Sequence, residues 1–145
     1  VVEGDGDALQ MIAGGVITTP AGTPLPQRLQ VIYRELTQLI EQWRPESAAI
    51  EELFFSKNAK TALAVGHGRG AAMLALANAG LPITEYKPLE VKQAITGHGG
   101  ADKVQMQHMV KLLLQLDDIP RPDDAADALA IAICHVHSAR LRLLE

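Results

Sequence analysis

The run from Pro122 to Cys134, PDDAADALAIAIC, constrains the fold most, because it opens a nearly continuous apolar helix. A helix that is apolar over most of its surface has to be covered by other elements. Yet three carboxylates, those of Asp123, Asp124 and Asp127, stand in its first turns. The chain must therefore bury this helix and still accommodate three acids near its beginning.

The remaining sequence alternates short apolar segments with long helical patterns. Strands are predicted at 1–3 and 9–18, joined by the tight turn Gly4-Asp5-Gly6-Asp7, and at 47–55 and 82–87. Helices are predicted at 24–43, 58–79, 88–97, 102–116 and from Asp123 onward. The apolar stripe of 24–43 predicts a scaffold helix packed on a sheet. Strands flanked by helices are typical of a three-layer α/β domain.

Composition places the chain among globular proteins. Its 145 residues, 48% of them hydrophobic, are about the size of one domain with a sizeable core. The single cysteine, Cys134, excludes an internal disulfide and is expected as a reduced thiol that fills core space. No apolar run approaches the roughly 20 residues that span a bilayer, and the first ten residues lack signal-peptide features. We therefore expect a cytoplasmic protein.

The net charge of −4 hides an uneven distribution. Residues 56–111 carry a balance of +4, and the segments on either side are acidic. The basic residues of this middle segment are Lys57, Lys60, Arg69, Lys87, Lys92, Lys103 and Lys111. Such a cluster is compatible with a phosphate-binding face, and equally with an ordinary solvated surface.

The acids of the last helix have two interpretations. Asp123 can cap the helix, and acids near a helix N-terminus are favourable by themselves. Asp124 and Asp127, however, are three residues apart and share a face. Pressed into an apolar setting, such a pair would need a cation, and oxygen ligands favour Mg²⁺ or Mn²⁺. With Glu51 from a strand end, the pair could form the acidic site of two-metal phosphodiester hydrolysis.

The glycines of GHGRG, Gly66, Gly68 and Gly70, interrupt the 58–79 helix pattern. They do not follow a strand, so a phosphate-cradling loop is disfavoured. Small residues on a helix face instead permit close approach of another element.

Three blocks carry a family resemblance: AIEELFFSKNAKTALAVGHGRG, EYKPLEVKQAITGHGGADKVQMQHMV and DDAADALAIAICHVH. In this order they resemble the RuvC family, the bacterial Holliday junction resolvases of the ribonuclease-H-like superfamily. The resemblance covers nearly the whole chain, to about His137. It implies a ribonuclease-H-like three-layer fold, in which a mixed β-sheet is flanked by helices, and a single nuclease domain over 1–145.

The resemblance also implies functional residues. Glu51, Asp124 and Asp127 match three of the family's four acidic metal ligands, for two Mg²⁺ ions per subunit that Mn²⁺ can replace. Lys103 matches a catalytic lysine near the scissile phosphate, and Lys92 a second basic residue there. The DNA-contacting positions that the resemblance implies are Phe54, which stacks on a base, Lys92 and Lys103. Lys57, Lys60 and Arg69 are further candidates for contacts with the DNA backbone, and each is equally compatible with simple surface charge.

One element of the family pattern is absent. The fourth ligand is the Asp of an Asp-Pro-Gly motif on the first strand, and Val1 is expected to begin partway along the second strand. Asp5 and Asp7 do not replace it, because they lie in the hairpin turn. We therefore expect a domain incomplete at its N-terminus, with poor activity in this form.

The implied function is symmetric nicking of four-way DNA junctions by a homodimer, in recombination and repair. The helix region 66–75 is the candidate subunit contact, and a branch-migration helicase of the RuvA and RuvB type is the implied partner. Two alternatives remain: a non-catalytic junction-binding module, and a ribonuclease-H-like nuclease with another nucleic-acid substrate. A metabolic α/β enzyme is disfavoured, because no nucleotide-binding glycine motif follows a strand.

Overall fold

The computed structural model describes residues 1–5, 8–52 and 58–144. They form two compact units: the first contains 1–16, 49–51 and the chain from residue 84 onward, and the second contains 17–48 and 52–83. Phe54 and Lys57 lie outside the described residues.

The chain opens with the predicted hairpin. Strand β1 (Val2–Asp5) pairs antiparallel with β2 (Ala8–Met11), in the register that places Val2 opposite Met11 and Asp5 opposite Ala8. The second strand is shorter than predicted. A second two-stranded sheet pairs β3 (Ala48–Glu51) with β4 (Ile83–Tyr86).

The second unit is organised around two helices, α1 (Leu25–Trp43) and α2 (Ala59–Asn78). The prediction that α1 is a scaffold helix packed on a sheet is wrong: its main partner is α2, and none of its residues is fully buried. The Nδ2 atom of Asn78 donates a 2.8 Å hydrogen bond to the Tyr33 hydroxyl between them. A Cβ at Gly68 would lie 3.7 Å from Cδ1 of Ile32, so this glycine faces α1.

The first unit contains three further helices: α3 (Pro88–Thr96), α4 (Lys103–Leu113) and α5 (Asp123–Leu143). α3 ends at Gly97, whose φ of +73° lies in the left-handed region that glycine adopts without strain. α5 packs against α3, α4 and β1. Residues on all these elements contribute to the core, in which Ile133 is completely buried.

The acids of α5 are not buried, contrary to the expectation from sequence. The buried residues of this helix are Ala125, Ala126, Leu129, Ala130, Ile133 and Cys134. Repeating every third or fourth residue, they form one stripe, whereas Asp123, Asp124 and Asp127 fall beside it and reach solvent. Apolar residues outside the stripe, among them Leu141 and Leu143, are partly or largely exposed, so the apolar composition of the helix does not mean burial on every side.

Two side chains with polar groups, those of Cys134 and Tyr86, are buried in the core. Cys134 is buried as expected, and burial raises the pKa of its thiol. The hydroxyl of Tyr86, at the end of β4, is hydrogen-bonded to Nδ1 of His135 at 3.0 Å, and burial lowers the pKa of that histidine.

Across the described ranges, no helix is long and apolar enough to cross a membrane.

Candidate active site

An open pocket of about 280 Å³ lies in the first unit, between the end of β3 and the helices α3, α4 and α5. Its floor is apolar, with Val91, Val110, Ala126 and Ala130 among the lining residues. Six polar side chains line it as well: Glu51, Lys92, Asp102, Lys103, Gln107 and Asp127. Four of the nine site residues implied by the sequence thus meet around one cavity.

Local structure explains how each of the four arrives there. Glu51 is the last residue of β3, and ligand-binding side chains commonly lie at the carboxyl ends of strands. Lys92 and Asp127 both lie in the second turn of their helices, α3 and α5. Lys103 is the first residue of α4, whose start is held by a reciprocal capping box between Asp102 and Gln105.

Burial and neighbouring negative charges raise the pKa values of both Glu51 and Asp127. Partial burial raises the pKa of Glu51 above its ordinary value, and the negative charge of Asp127 raises it further. Burial also raises the pKa of Asp127; the Lys103 ammonium opposes this, and the charges of Asp124 and Asp123 add to it. Both side chains reach solvent, but the pocket wall removes part of the hydration of their carboxyl groups.

Asp124 occupies a different position from the other two predicted ligands. It is exposed, precedes Asp127 by one turn on the same helix, and is not part of the pocket lining. Its charge raises the pKa of Asp127. Asp127 is therefore the carboxylate electrostatically coupled to both Glu51 and Asp124.

Lys103 is tied to the remaining acid of α5. Its Nζ lies 2.9 Å from Oδ2 of Asp123, and Nε2 of Gln107 donates a 3.1 Å hydrogen bond to Oδ1 of the same carboxylate. The hydrogen bond to Asp123 raises the pKa of Lys103, and the same contact holds the pKa of Asp123 below its ordinary value. The predicted N-cap role of Asp123 is wrong: Pro122 is the N-cap, and the Asp123 side chain turns toward α4.

The other predicted DNA contacts are not part of this pocket. Lys60 and Arg69 lie on α2 in the second unit, Lys60 exposed and Arg69 half-buried. Phe54 and Lys57 fall outside the described residues. Gln107 and Asp102 were not predicted; the i, i+4 spacing of Lys103 and Gln107 was visible in the sequence, but their shared partner on α5 was not.

The chemistry of the carboxylates fits a hard divalent cation. Their side chains offer only oxygen atoms, and a bound cation would offset both the burial and the neighbouring negative charges that raise the pKa values of Glu51 and Asp127. Over residues 1–5, 8–52 and 58–144, no three His, Cys, Asp or Glu side chains already form a group that could hold a metal ion. The charge of Asp127 acts on Glu51, and the charge of Asp124 acts on Asp127.

Comparison with known proteins identifies relatives. The family model described as "Crossover junction endodeoxyribonuclease RuvC" matches residues 1–135. A protein of that name from Chloroflexus aggregans is 60% identical over 139 residues, which are 96% of this chain and 85% of the relative. A protein of the same name from a Roseiflexus species is 58% identical, over 96% of this chain and 83% of the relative.

Solved structures agree with these relatives. The chain superposes on RuvC from Thermus thermophilus in complex with a Holliday junction substrate with a TM-score of 0.91 and 37% identity. The match covers 97% of this chain and 86% of the other.

The fold and the pocket of carboxylates and lysines define a nuclease of the ribonuclease-H-like class. Within that class, the chain belongs to the family of crossover junction endodeoxyribonucleases RuvC. The family and the fold class expected from the three sequence blocks are both confirmed.

Proposed function

We propose that this chain is an endonuclease that resolves four-way DNA junctions by paired symmetric nicks, in homologous recombination and DNA repair. The observation that carries the proposal is the pocket itself, because Glu51, Asp127, Lys92 and Lys103 line the same cavity. Carboxylates and lysines placed together suit phosphodiester hydrolysis, because carboxylates can hold a metal ion and lysines can neutralise the negative charge of the phosphate. Family membership supports the same activity.

Glu51, Asp124 and Asp127 would hold the divalent metal, with Asp127 shared between its two neighbours. Mg²⁺ is the metal that suits their oxygen atoms, with two ions per subunit and Mn²⁺ as a substitute. Bound metal supplies Lewis-acid neutralisation of phosphate charge and a lowered pKa for an attacking water. The resemblance to the family implies a fourth carboxylate, from an Asp-Pro-Gly strand.

The lysines act on the phosphate. Lys103 reaches solvent at the start of α4 and stabilises the negative charge that grows on the scissile phosphate. Lys92, half-buried on α3, positions the DNA backbone. The oxygen of water bonds to phosphorus as the bond to the 3′ oxygen breaks, and the leaving oxygen takes a proton. The products are a 5′ phosphate and a 3′ hydroxyl, which are ready for ligation.

Other residues bind the junction away from the reacting phosphate. Phe54 stacks on a base near the crossover, and Lys57, Lys60 and Arg69 contact the phosphate backbone. Exposure of the Lys60 side chain on α2 is consistent with this role.

A homodimer would supply the two active sites that paired nicks require. The subunit contact proposed on α2 needs refinement, because Gly68 faces α1 and Ala75 is buried within the chain. The exposed apolar residues Leu63 and Leu74 lie about three helical turns apart on one face of this helix and fit a subunit contact better. A branch-migration helicase of the RuvA and RuvB type in the cytoplasm remains the proposed partner and setting.

Cleavage of a synthetic four-way junction in Mg²⁺ tests the proposal. The assay compares the chain, the chain preceded by an Asp-Pro-Gly strand, and Asp127→Asn in both forms; a linear duplex and an RNA–DNA hybrid are competing substrates. We expect paired symmetric nicks in the junction from the form that carries the Asp-Pro-Gly strand, and none from Asp127→Asn in either form.

Each other outcome supports a different function. Junction binding without cutting by every form would indicate the non-catalytic binding module. Equal cutting of the linear duplex or the hybrid would indicate a ribonuclease-H-like nuclease with another substrate.

A further inference from the structure

We propose that Asp123 is a positioning residue for Lys103, which it holds over the pocket together with Gln107. The inference rests on the proposed function, because it assigns Asp123 a purpose only if Lys103 acts on the phosphate. Asp123 makes no other proposed contribution to the reaction, and the sequence alone suggests only a helix cap.

The Asp123 carboxylate forms a clamp, in which each of its two oxygen atoms contacts one side chain of α4. One carboxylate oxygen of Asp123, Oδ2, lies 2.9 Å from Nζ of Lys103, and the other, Oδ1, accepts a 3.1 Å hydrogen bond from Nε2 of Gln107. Gln107 is one helical turn after Lys103 on α4, and Asp123 is the first residue of α5. The two helix starts are therefore joined through a single carboxylate, and its orientation is set by two partners.

Stability does not account for this arrangement. The side chains of Lys103 and Asp123 are 55% and 62% exposed, and exposed ion pairs contribute little to the free energy of folding. A lysine in the first turn of a helix is also unfavourable, because the N-terminal end of the helix dipole is positive. A cation kept at such a position indicates a role at the pocket that Lys103 lines.

Positioning has a physical benefit for a long side chain. Lysine has four rotatable bonds, and an ammonium that is already held near its working position loses less freedom when the phosphate arrives. Asp123 also immediately precedes Asp124 in the chain, so the same helix turn that would present a metal ligand anchors the lysine.

A double-mutant cycle tests the coupling. Single-turnover cleavage rates and junction dissociation constants are measured in the form that carries the Asp-Pro-Gly strand. The proteins compared are the wild type, Asp123→Asn, Lys103→Ala and the double variant, with Asp118→Asn as a control that removes an exposed charge between α4 and α5. We expect Asp123→Asn to lower the cleavage rate about fivefold at unchanged affinity, and to have no further effect once Lys103 is alanine. Asp123→Glu should restore part of the rate.

The outcomes separate the inference from the function on which it rests. Full activity of Lys103→Ala would remove the proposed role of the lysine and the inference with it. A strong loss in Lys103→Ala with no change in Asp123→Asn would overturn the inference alone. Faster cleavage or tighter binding by Asp123→Asn would also overturn it, since Asp123 would then compete with the phosphate.

A second measurement does not depend on cleavage. Side-chain NMR order parameters of Lys103 in the DNA-free chain should be higher in the wild type than in Asp123→Asn, and intermediate in Gln107→Leu. Equal order parameters in all three proteins would contradict the clamp.

Discussion

Asp123 and Asp127 lie one turn apart on the same helix, yet their surroundings shift their pKa values in opposite directions. Asp123 is paired with Lys103, which favours its ionised form. Asp127 faces the pocket wall and other acids, which disfavour its ionised form. Adjacent carboxylates can therefore have opposite effects on the free energy of unfolding.

The pH dependence of stability should reveal this difference. Because the pKa of Asp127 is raised in the folded state, its ionised form opposes folding at neutral pH, and the penalty disappears below its ordinary pKa of 3.8. In metal-free buffer at pH 7 we expect Asp127→Asn to be more stable than the wild type by up to about 1 kcal/mol, since the group is partly screened by solvent. Urea denaturation at pH 7 and below pH 3.8 measures the difference and its loss.

Asp123→Asn is the matched control for that experiment. The pKa of Asp123 is lowered in the folded state, so its ionised form favours folding above its ordinary pKa of 3.8. Because its ion pair with Lys103 is exposed and screened by solvent, Asp123→Asn should lose only a little stability at pH 7. A loss of stability at pH 7 in Asp127→Asn as well would mean that Asp127 supports the fold locally, against the electrostatic account.

At the scale of elements, α5 connects the core with the site. One side of it is buried against α3, α4 and β1, and its first two turns carry the acids beside the pocket. Small residues such as Ala126 and Ala130 line both the core and the pocket floor. The packing of this helix therefore sets the position of the carboxylates.

The buried side of α5 gives a direct stability prediction. Ile133 is completely buried, and truncating it to alanine should lower the free energy of unfolding by about 2–4 kcal/mol through lost burial and a cavity. Leu143→Ala on the same helix removes a side chain that is 87% exposed, and should change stability by less than about 0.5 kcal/mol. Guanidinium denaturation compares them, and similar losses in both would contradict the assigned burial.

The contact of β1 with α5 can be tested at a glycine. A Cβ at Gly4 would lie 2.5 Å from Cγ1 of Val136, a branched side chain that cannot easily rotate away in a helix. We expect Gly4→Ala to cost about 1–3 kcal/mol in thermal or chemical unfolding, and Val136→Ala in the same chain to recover part of it.

Gly15→Ala is the control for this substitution. Nothing lies within 4 Å of a Cβ at that position, so we expect no comparable loss. A Gly4→Ala protein as stable as Gly15→Ala would show that β1 lies farther from α5.

At the scale of the whole molecule, the distribution of charge along the chain differs from what the net charge suggests. The chain carries a net charge of −4, but its basic residues are concentrated in 56–111, which contributes residues to both units. Binding of a polyanion by an acidic protein depends on such local concentration, because salt screens distant charges.

The salt dependence of junction binding counts the phosphate contacts. The logarithm of the binding constant should fall linearly with the logarithm of salt concentration, and each lost phosphate contact reduces the slope by roughly 0.9. We expect Lys60→Ala, Arg69→Ala and Lys92→Ala each to reduce the slope by about that amount in titrations without cleavage. Arg34→Ala on α1 is the control and should leave the slope unchanged; an unchanged slope for Lys60→Ala would remove Lys60 from the interface.

Local sequence patterns were sufficient for most elements. The apolar stripe of α1, the Asp102 cap of α4 and Gly97 at the end of α3 are short-range signals, and the structure places helices where they indicate. A strand that contains Glu51 was also predicted, but over 47–55, whereas β3 ends at Glu51 itself. These features depend on neighbours along the chain, so they can be predicted from it.

By itself the sequence determined the element order and the hairpin, because periodicity, caps and turns are local. It also determined the family and the residue types of the candidate site, because the three sequence blocks are distinctive. Tertiary structure alone decided that α1 packs on α2, that the α5 acids stand beside its buried stripe, and that Asp123 binds Lys103 and Gln107 instead of capping its helix. The physical reason is that burial and ion pairing depend on which elements meet in space. Composition does not reveal the side of a helix that its partners cover.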